Sequence, residues 1–224
     1  LMSSIPGLFV IGEANFSEHG ANRLGANALL QALSDGYFIC PSTVSSWLAN
    51  HPSEILSKDS EECICALNQV KNRLKKASTI KGKKPVDFFH RKLGNLMIDF
   101  CGISRLEKDL RIGLVKLSEL KKDFYANVKI PKEFYGPNPE LEKFLRLEDF
   151  FDLAKLMLID ALARNESCGA HFREEHQTSE GEALRNDKEF AKIFAWEFVK
   201  GDKPKLHKEN LEFQLLKPTE RSYK

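Results

Sequence analysis

Residues 8–14, LFVIGEA, followed by His19-Gly20-Ala21-Asn22-Arg23-Leu24-Gly25 and the apolar run from Ala26 to Tyr37, set the fold at the start of the chain. Leu8-Phe9-Val10-Ile11 has the unbroken hydrophobicity of a parallel-type strand buried on both faces, and it stops at Gly12-Glu13. A polar loop follows from Asn15 to Gly25. Ala28, Leu29, Leu30, Ala32 and Leu33 then recur with helical spacing, and Gly36 before Pro41 reads as the helix end. Strand, loop and helix make one βα unit. Such a strand needs neighbours to pair its backbone, so the expectation is that further sheet lies upstream.

Downstream the pattern becomes helical. Cys63, Leu67, Val70 and Leu74 mark one apolar stripe, and Phe89, Leu93, Leu96, Met97 and Phe100 mark a second, with Gly82 and Pro85 between them. A third helix is expected over 104–127 with Ser104 and Glu107 spaced as a capping box. Pro131, Gly136, Pro137 and Pro139 force a loop, and 145–164 then reads as a helix apolar around its circumference, the central one of a bundle. In the tail, 193–198 and 211–215 read as two short strands joined near Gly201-Asp202. The fold class is α+β, mainly α: a βα end-piece over 1–50, a helical bundle over 51–165 and a small tail domain with short strands over 166–224.

Charge is balanced, with 34 Lys and Arg against 32 Asp and Glu, which points to neither a nucleic-acid binder nor a strongly membrane-attracted chain. The lysine-rich stretch 71–84 carries no interleaved aromatic residue, so it reads as a solvated helix end and not as a stacking surface. Cys40, Cys63, Cys65, Cys101 and Cys168 form no CxxC pair and no Cys/His ladder, disfavouring a disulfide framework or a zinc site and fitting a reducing compartment. His171 and His176 are five residues apart, not the spacing that puts two ligands on one helix face, so no metal site is expected. The most apolar stretch, 153–162, is interrupted by Lys155 and Asp160 and is too short to cross a bilayer.

Two residues could carry chemistry. Glu13 sits at the carboxyl end of the expected strand, where an open α/β fold holds its nucleotide and where a carboxylate can accept from sugar hydroxyls; a surface acid would look the same. Arg23 lies just before a helix start, and its planar fork matches a carboxylate, although it could equally close a surface ion pair.

Taken together, FVIGEA followed by HGANRLGANAL resembles the C-terminal flavin-binding stretch of the succinate dehydrogenase and fumarate reductase flavoprotein family. A second stretch, 164–175, resembles the ESRGAH segment of the same family, with Cys168 where arginine is commoner, and the ending at 218–224 resembles the family's C-terminus. The resemblance implies that Glu13 contacts FAD and that Arg23 binds a carboxylate of succinate or fumarate. It also assigns flavin contacts to the positions of Ala28 and Leu29. Ala28 stands where the family has serine, so a contact there uses backbone N–H groups.

The implied activity is hydride transfer between substrate and flavin, with electrons passed to an iron-sulfur subunit held at a membrane anchor subunit. The implied location is cytoplasmic, peripheral on the inner face of the cell membrane through those partners. No GxGxxG follows a strand here, so the ADP-binding part of the FAD site and the proton-shuttling arginine belong to the N-terminal part of the same flavoprotein, and this stretch alone is expected to be inactive. Two alternatives stand beside this reading: an L-aspartate oxidase-type flavoenzyme, which shares a similar HGANR string, and a non-catalytic helical interaction module.

Overall fold

Phe124 occupies the centre of a helical core because the two helices beside its own present three aromatic side chains to it. Its ring centroid lies 5.4 Å from Phe89, 4.9 Å from Phe144 and 5.3 Å from Phe151. These side chains come from α4 (Val86–Cys101), α5 (Glu107–Asn127) and α6 (Pro139–Ala163). The computed structural model describes residues 1–15, 19, 23, 25–51, 56–131, 137–199, 203–215 and 218–219. Helices dominate, with few and short strands.

The bundle follows the sequence pattern closely. Phe89, Leu93 and Leu96 are buried on α4, and Leu110, Leu117 and Phe124 on α5. On α6 the buried stripe is Phe144, Leu147, Phe151, Ala154, Leu158 and Ala161, spaced at three and four residues. Apolar residues between these positions, Leu153 and Met157, are exposed, so α6 buries one broad face and is not enclosed on all sides. Its start is fixed by Asn138, whose Oδ1 accepts from the N–H groups of Glu140 and Leu141 at 3.1 Å each, with Pro139 in the first turn.

The chain divides into two compact units, Leu1–Asn68 and Gln69–Lys224. The first contains a 3-10 turn, Gly12–Ala14, then α1 (Asn27–Ser34), a π-helical turn (Asp35–Ile39) and α2 (Cys40–Asn50). Among its described residues only Gly12 and Asp35 are buried, while Leu29, Leu30, Tyr37 and Phe38 are 63–79% exposed. Helix α3 (Glu61–Thr79) runs across the boundary. The second unit adds to the bundle three short pairings: β1 (Lys84–Pro85) with β3 (Val128–Lys129), β2 (Ser104–Arg105) with β4 (Phe172–Arg173), both parallel, and the antiparallel hairpin β5 (Lys192–Glu197) with β6 (Lys205–Asn210). A short helix, α7 (Asp187–Phe190), precedes the hairpin.

Several sequence expectations are corrected. Residues 8–11 form no parallel strand. Phe9 instead bridges antiparallel to Met2, with Ser3 N–H donating to the Leu8 carbonyl and Val10 N–H to the Leu1 carbonyl, so the segment's backbone is paired locally. Gly36 does not end the helix, because it has no left-handed φ and lies inside the π turn. Helix α2 then begins with Pro41 in its first turn, where a missing N–H costs nothing.

The Ser104–Glu107 capping box does not form. Helix α5 starts after Leu106, and its Glu107 N–H is capped from afar by Glu175 Oε1, while Ser104 Oγ donates to Glu174. The second tail strand is the polar segment 205–210 and not 211–215, because cross-strand pairing of Trp196 with Leu206 fixes the register.

Candidate functional site

Glu13 and Arg23 come together. Arg23 Nε lies 3.2 Å from Glu13 Oε1, with 45% and 60% of their side chains exposed. Glu13 is held by the 3-10 turn over 12–14, and that turn is anchored by Asp35, whose buried carboxylate accepts from Gly12 N–H at 2.9 Å. Gly12 is required there. Its φ is +65°, and a Cβ would sit 3.3 Å from the Ala32 Cβ. Asn15 is tied to α1 through its carbonyl, which accepts from Gln31 Nε2 at 3.2 Å.

The turn that holds Glu13 packs against Ala32 and Asp35 at the end of α1, and the start of that helix is a separate feature. Its N-cap, Ala26, takes a left-handed conformation with φ 66° and supplies no side-chain cap. The first-turn N–H groups of Asn27, Ala28 and Leu29 therefore lack intrahelical partners by geometry, and the helix dipole puts partial positive charge on them. Ala28 is half-buried and Leu29 is 69% exposed. A Cβ on Gly25 would meet nothing within 4 Å, so there is open space beside this end.

One residue of this loop was not singled out from the sequence. His19 has a buried Nε2 with no hydrogen-bond partner among the described residues. An orphaned ring nitrogen four residues from Arg23 in sequence is the kind of group that gains a partner when a ligand arrives. Its signal in the sequence was only its place within the HGANRLG string; residues 20–22 and 24 of that string lie outside the described residues.

The second matching stretch is a buried polar knot. Glu166 is 2% exposed, with Oε1 accepting from Arg164 Nη1 at 2.8 Å and Oε2 from Asn186 N–H at 3.0 Å. Ser167 and Arg173 bond reciprocally, Ser167 Oγ donating to the Arg173 carbonyl at 3.1 Å and accepting from its N–H at 2.8 Å. Arg173, 1% exposed, donates Nη1 to the Ala161 carbonyl at the end of α6. Arg164 donates to the carbonyls of Phe190 and Lys192 and lies 4.3 Å over the Phe194 ring. The Arg173 bond to Ala161 ties the last helix of the bundle to the tail, and the remaining contacts knit the tail around it, which gives the segment the character of a joint.

His171 and Cys168 share that character. Both ring nitrogens of His171 are used, and Cys168 and His171 pair across a tight turn containing Gly169 at φ 59°. Burial, then the Glu166 charge, pushes the Cys168 thiol above its ordinary value, the opposite of a reactive cysteine. No group of three or more His, Cys, Asp or Glu residues that could hold a metal exists among the described residues. No described helix is long and apolar enough to cross a membrane.

Comparison with known proteins fixes the family. Residues 90–223 match the profile described as "Fumarate reductase flavoprotein C-term". The chain belongs to this family. Among curated relatives it is 26% identical over 223 residues to the succinate dehydrogenase flavoprotein subunit of Bacillus subtilis, covering 99% of this chain and 37% of that one.

It is 30% identical over 220 residues to the fumarate reductase flavoprotein subunit of a Serratia strain, covering 98% and 35%. An uncharacterized FAD-dependent oxidoreductase of Methanocaldococcus jannaschii is 32% identical over 173 residues, covering 77% and 29%. Among solved structures, quinol fumarate reductase of E. coli matches with a TM-score of 0.79 and 28% identity, covering 96% of this chain and 35% of that one. The chain thus spans about a third of the length of these relatives (29–37%).

Proposed function

We propose that this chain is the C-terminal part of a flavoprotein subunit that interconverts succinate and fumarate. The observation that carries the reading is the ion pair of Arg23 with Glu13, inside the string that resembles the family's flavin-binding stretch. Arg23 binds and orients one carboxylate of the dicarboxylate through its planar fork, exchanging its ion pair with Glu13 for the substrate. Glu13 is exposed enough to accept from a sugar hydroxyl of the cofactor. The N–H groups at Ala28 and Leu29 favour negative charge near α1.

These residues are of the kinds FAD needs: an exposed carboxylate at Glu13, and uncapped first-turn N–H groups of α1 with open space beside Gly25. FAD, when bound, supplies the hydride acceptor. The exposed apolar residues Leu29, Leu30, Tyr37 and Phe38 suit cover by the N-terminal part of the same subunit, to which residues 1–50 contribute an end-piece. Electrons leave through an iron-sulfur subunit, with a membrane anchor subunit holding the assembly on the inner face of the cell membrane; that placement rests on the family relationship.

The deciding experiment is succinate turnover by the full-length subunit and its Arg23→Ala variant with flavin content measured alongside. Turnover should fall by about a thousandfold while flavin is retained, the scale of losing a charge-assisted substrate contact. Unchanged turnover removes Arg23 from the site. Oxidation of aspartate in place of succinate would assign the chain to the L-aspartate oxidase type.

A further inference from the structure

A groove of about 610 Å³ opens in the second unit between α5, α6 and the β5–β6 hairpin, away from every residue assigned above. Its floor is apolar, formed by Leu117, Phe151, Ile159 and Trp196. Its polar rim is unlike the floor. Three lysines, Lys121, Lys155 and Lys203, stand against a single aspartate, Asp152, so three positive charges minus one negative leave a net charge of +2. Asp152 is already committed to Lys121, 2.5 Å away. Lys155 has no hydrogen-bond or ion-pair partner among the described residues.

Trp196 is pinned by its indole N–H, which donates to Asp160 at 2.8 Å, leaving its ring as a fixed wall. From an apolar floor under a cationic rim we infer that this groove binds a medium-chain carboxylate, its hydrocarbon along Phe151, Ile159 and Trp196 and its head on Lys155. The volume is that of small-molecule sites, about 300–1,000 Å³, which are apolar with a few placed polar groups. A small polar anion would leave the floor wet, and an uncharged hydrocarbon would leave the Lys155 ammonium group unused. An extended acidic peptide suits the charge but finds few main-chain partners, because the backbone groups of the floor bond within α5, α6 and the β5–β6 hairpin.

The chain has two tryptophans, so Trp47→Phe leaves Trp196 as the one reporter in the groove. Titration with decanoate below its micelle concentration should give a saturable change in Trp196 emission. Lys155→Glu, an exposed substitution that should leave the circular dichroism unchanged, should weaken decanoate about tenfold. Decyltrimethylammonium should give no saturable change. The inference is overturned if decanoate does not saturate, if folded Lys155→Glu and Lys155→Gln proteins both bind it as tightly as the parent, or if an acidic peptide binds the groove and decanoate does not.

Discussion

Arg105 Nη1 lies 2.9 Å from His171 Nδ1, and His171 Nε2 lies 2.9 Å from the Arg164 carbonyl oxygen. Arginine can only donate and a carbonyl can only accept, so the imidazole is neutral with its proton on Nε2. A protonated ring would face the Arg105 guanidinium with a donor. Burial first pushes the His171 pKa below its ordinary 6.5; the bond to the Arg164 carbonyl opposes this, and the charges of Arg105, Arg173 and Arg164 add to it.

That arrangement sets a pH dependence. A lowered pKa means the unfolded chain binds the proton more readily, so stability is present above the ordinary histidine value and is lost as pH falls through about 6.5 and below. Urea midpoints measured from about pH 7.5 down to about pH 5.5 should therefore fall, and His171→Gln, whose amide can accept from Arg105 and donate to Arg164, should fall less. An identical pH slope in the two proteins would remove His171 from the effect.

The buried acid of the bundle carries a second prediction. Glu148, 7% exposed, accepts from Arg73 Nε at 2.7 Å and from the Tyr125 hydroxyl at 2.8 Å. Burial, then the hydrogen bond to Glu148, drives the Tyr125 phenol upward, keeping it a donor at any working pH. Tyr125→Phe should cost about 1.5–3 kcal/mol in chemical denaturation, because the carboxylate loses a donor it cannot replace from water. Arg73→Met combined with Glu148→Leu should cost less than Arg73→Met alone, since only the single variant strands a buried charge.

Three glycines separate three physical effects. A Cβ at Gly82 would fall 2.0 Å from the Asn127 carbonyl carbon, in backbone that cannot yield, and one at Gly113 would meet Phe100 Cβ at 2.8 Å and Leu158 at 3.0 Å. Gly94, exposed in the middle of α4, would meet nothing within 4 Å. Gly113→Ala should destabilise by about 1–3 kcal/mol and Gly82→Ala by more, whereas Gly94→Ala should stabilise by about 0.5–1 kcal/mol through reduced unfolded-state entropy. Thermal melts of the three variants check the order.

The bundle could be read from sequence because its signal is local and periodic: Phe89, Leu93 and Leu96, or Leu147, Phe151, Ala154 and Leu158, repeat at helical spacing and are buried. What escaped reading depends on distant residues. Nothing near Glu107 shows that its N–H is capped by Glu175, and the two-residue parallel pairings of Lys84 with Val128 and Ser104 with Phe172 have no periodicity to detect. The polar strand 205–210 follows the register of its apolar partner and not its own composition. At the candidate site the string around Arg23 was legible as a motif, while no local pattern marks Asp35, which anchors the Glu13 turn by a bond to Gly12, 23 residues away.

Arg23 and Glu13 should fail in different ways, which follows from their different assigned partners. Arg23→Lys keeps the positive charge but loses the fork that matches a carboxylate, so in the full-length subunit KM for succinate should rise about tenfold or more with flavin content unchanged. Glu13→Gln removes an acceptor of full charge while leaving Arg23 in place, so flavin should be retained less well and succinate KM should change little once flavin is restored. Both side chains are 45% or more exposed, so neither substitution should change the unfolding free energy by more than about 0.5 kcal/mol. If Arg23→Lys strips flavin and spares KM, or Glu13→Gln does the reverse, the two roles are exchanged and the substrate end of the site lies on the Glu13 turn.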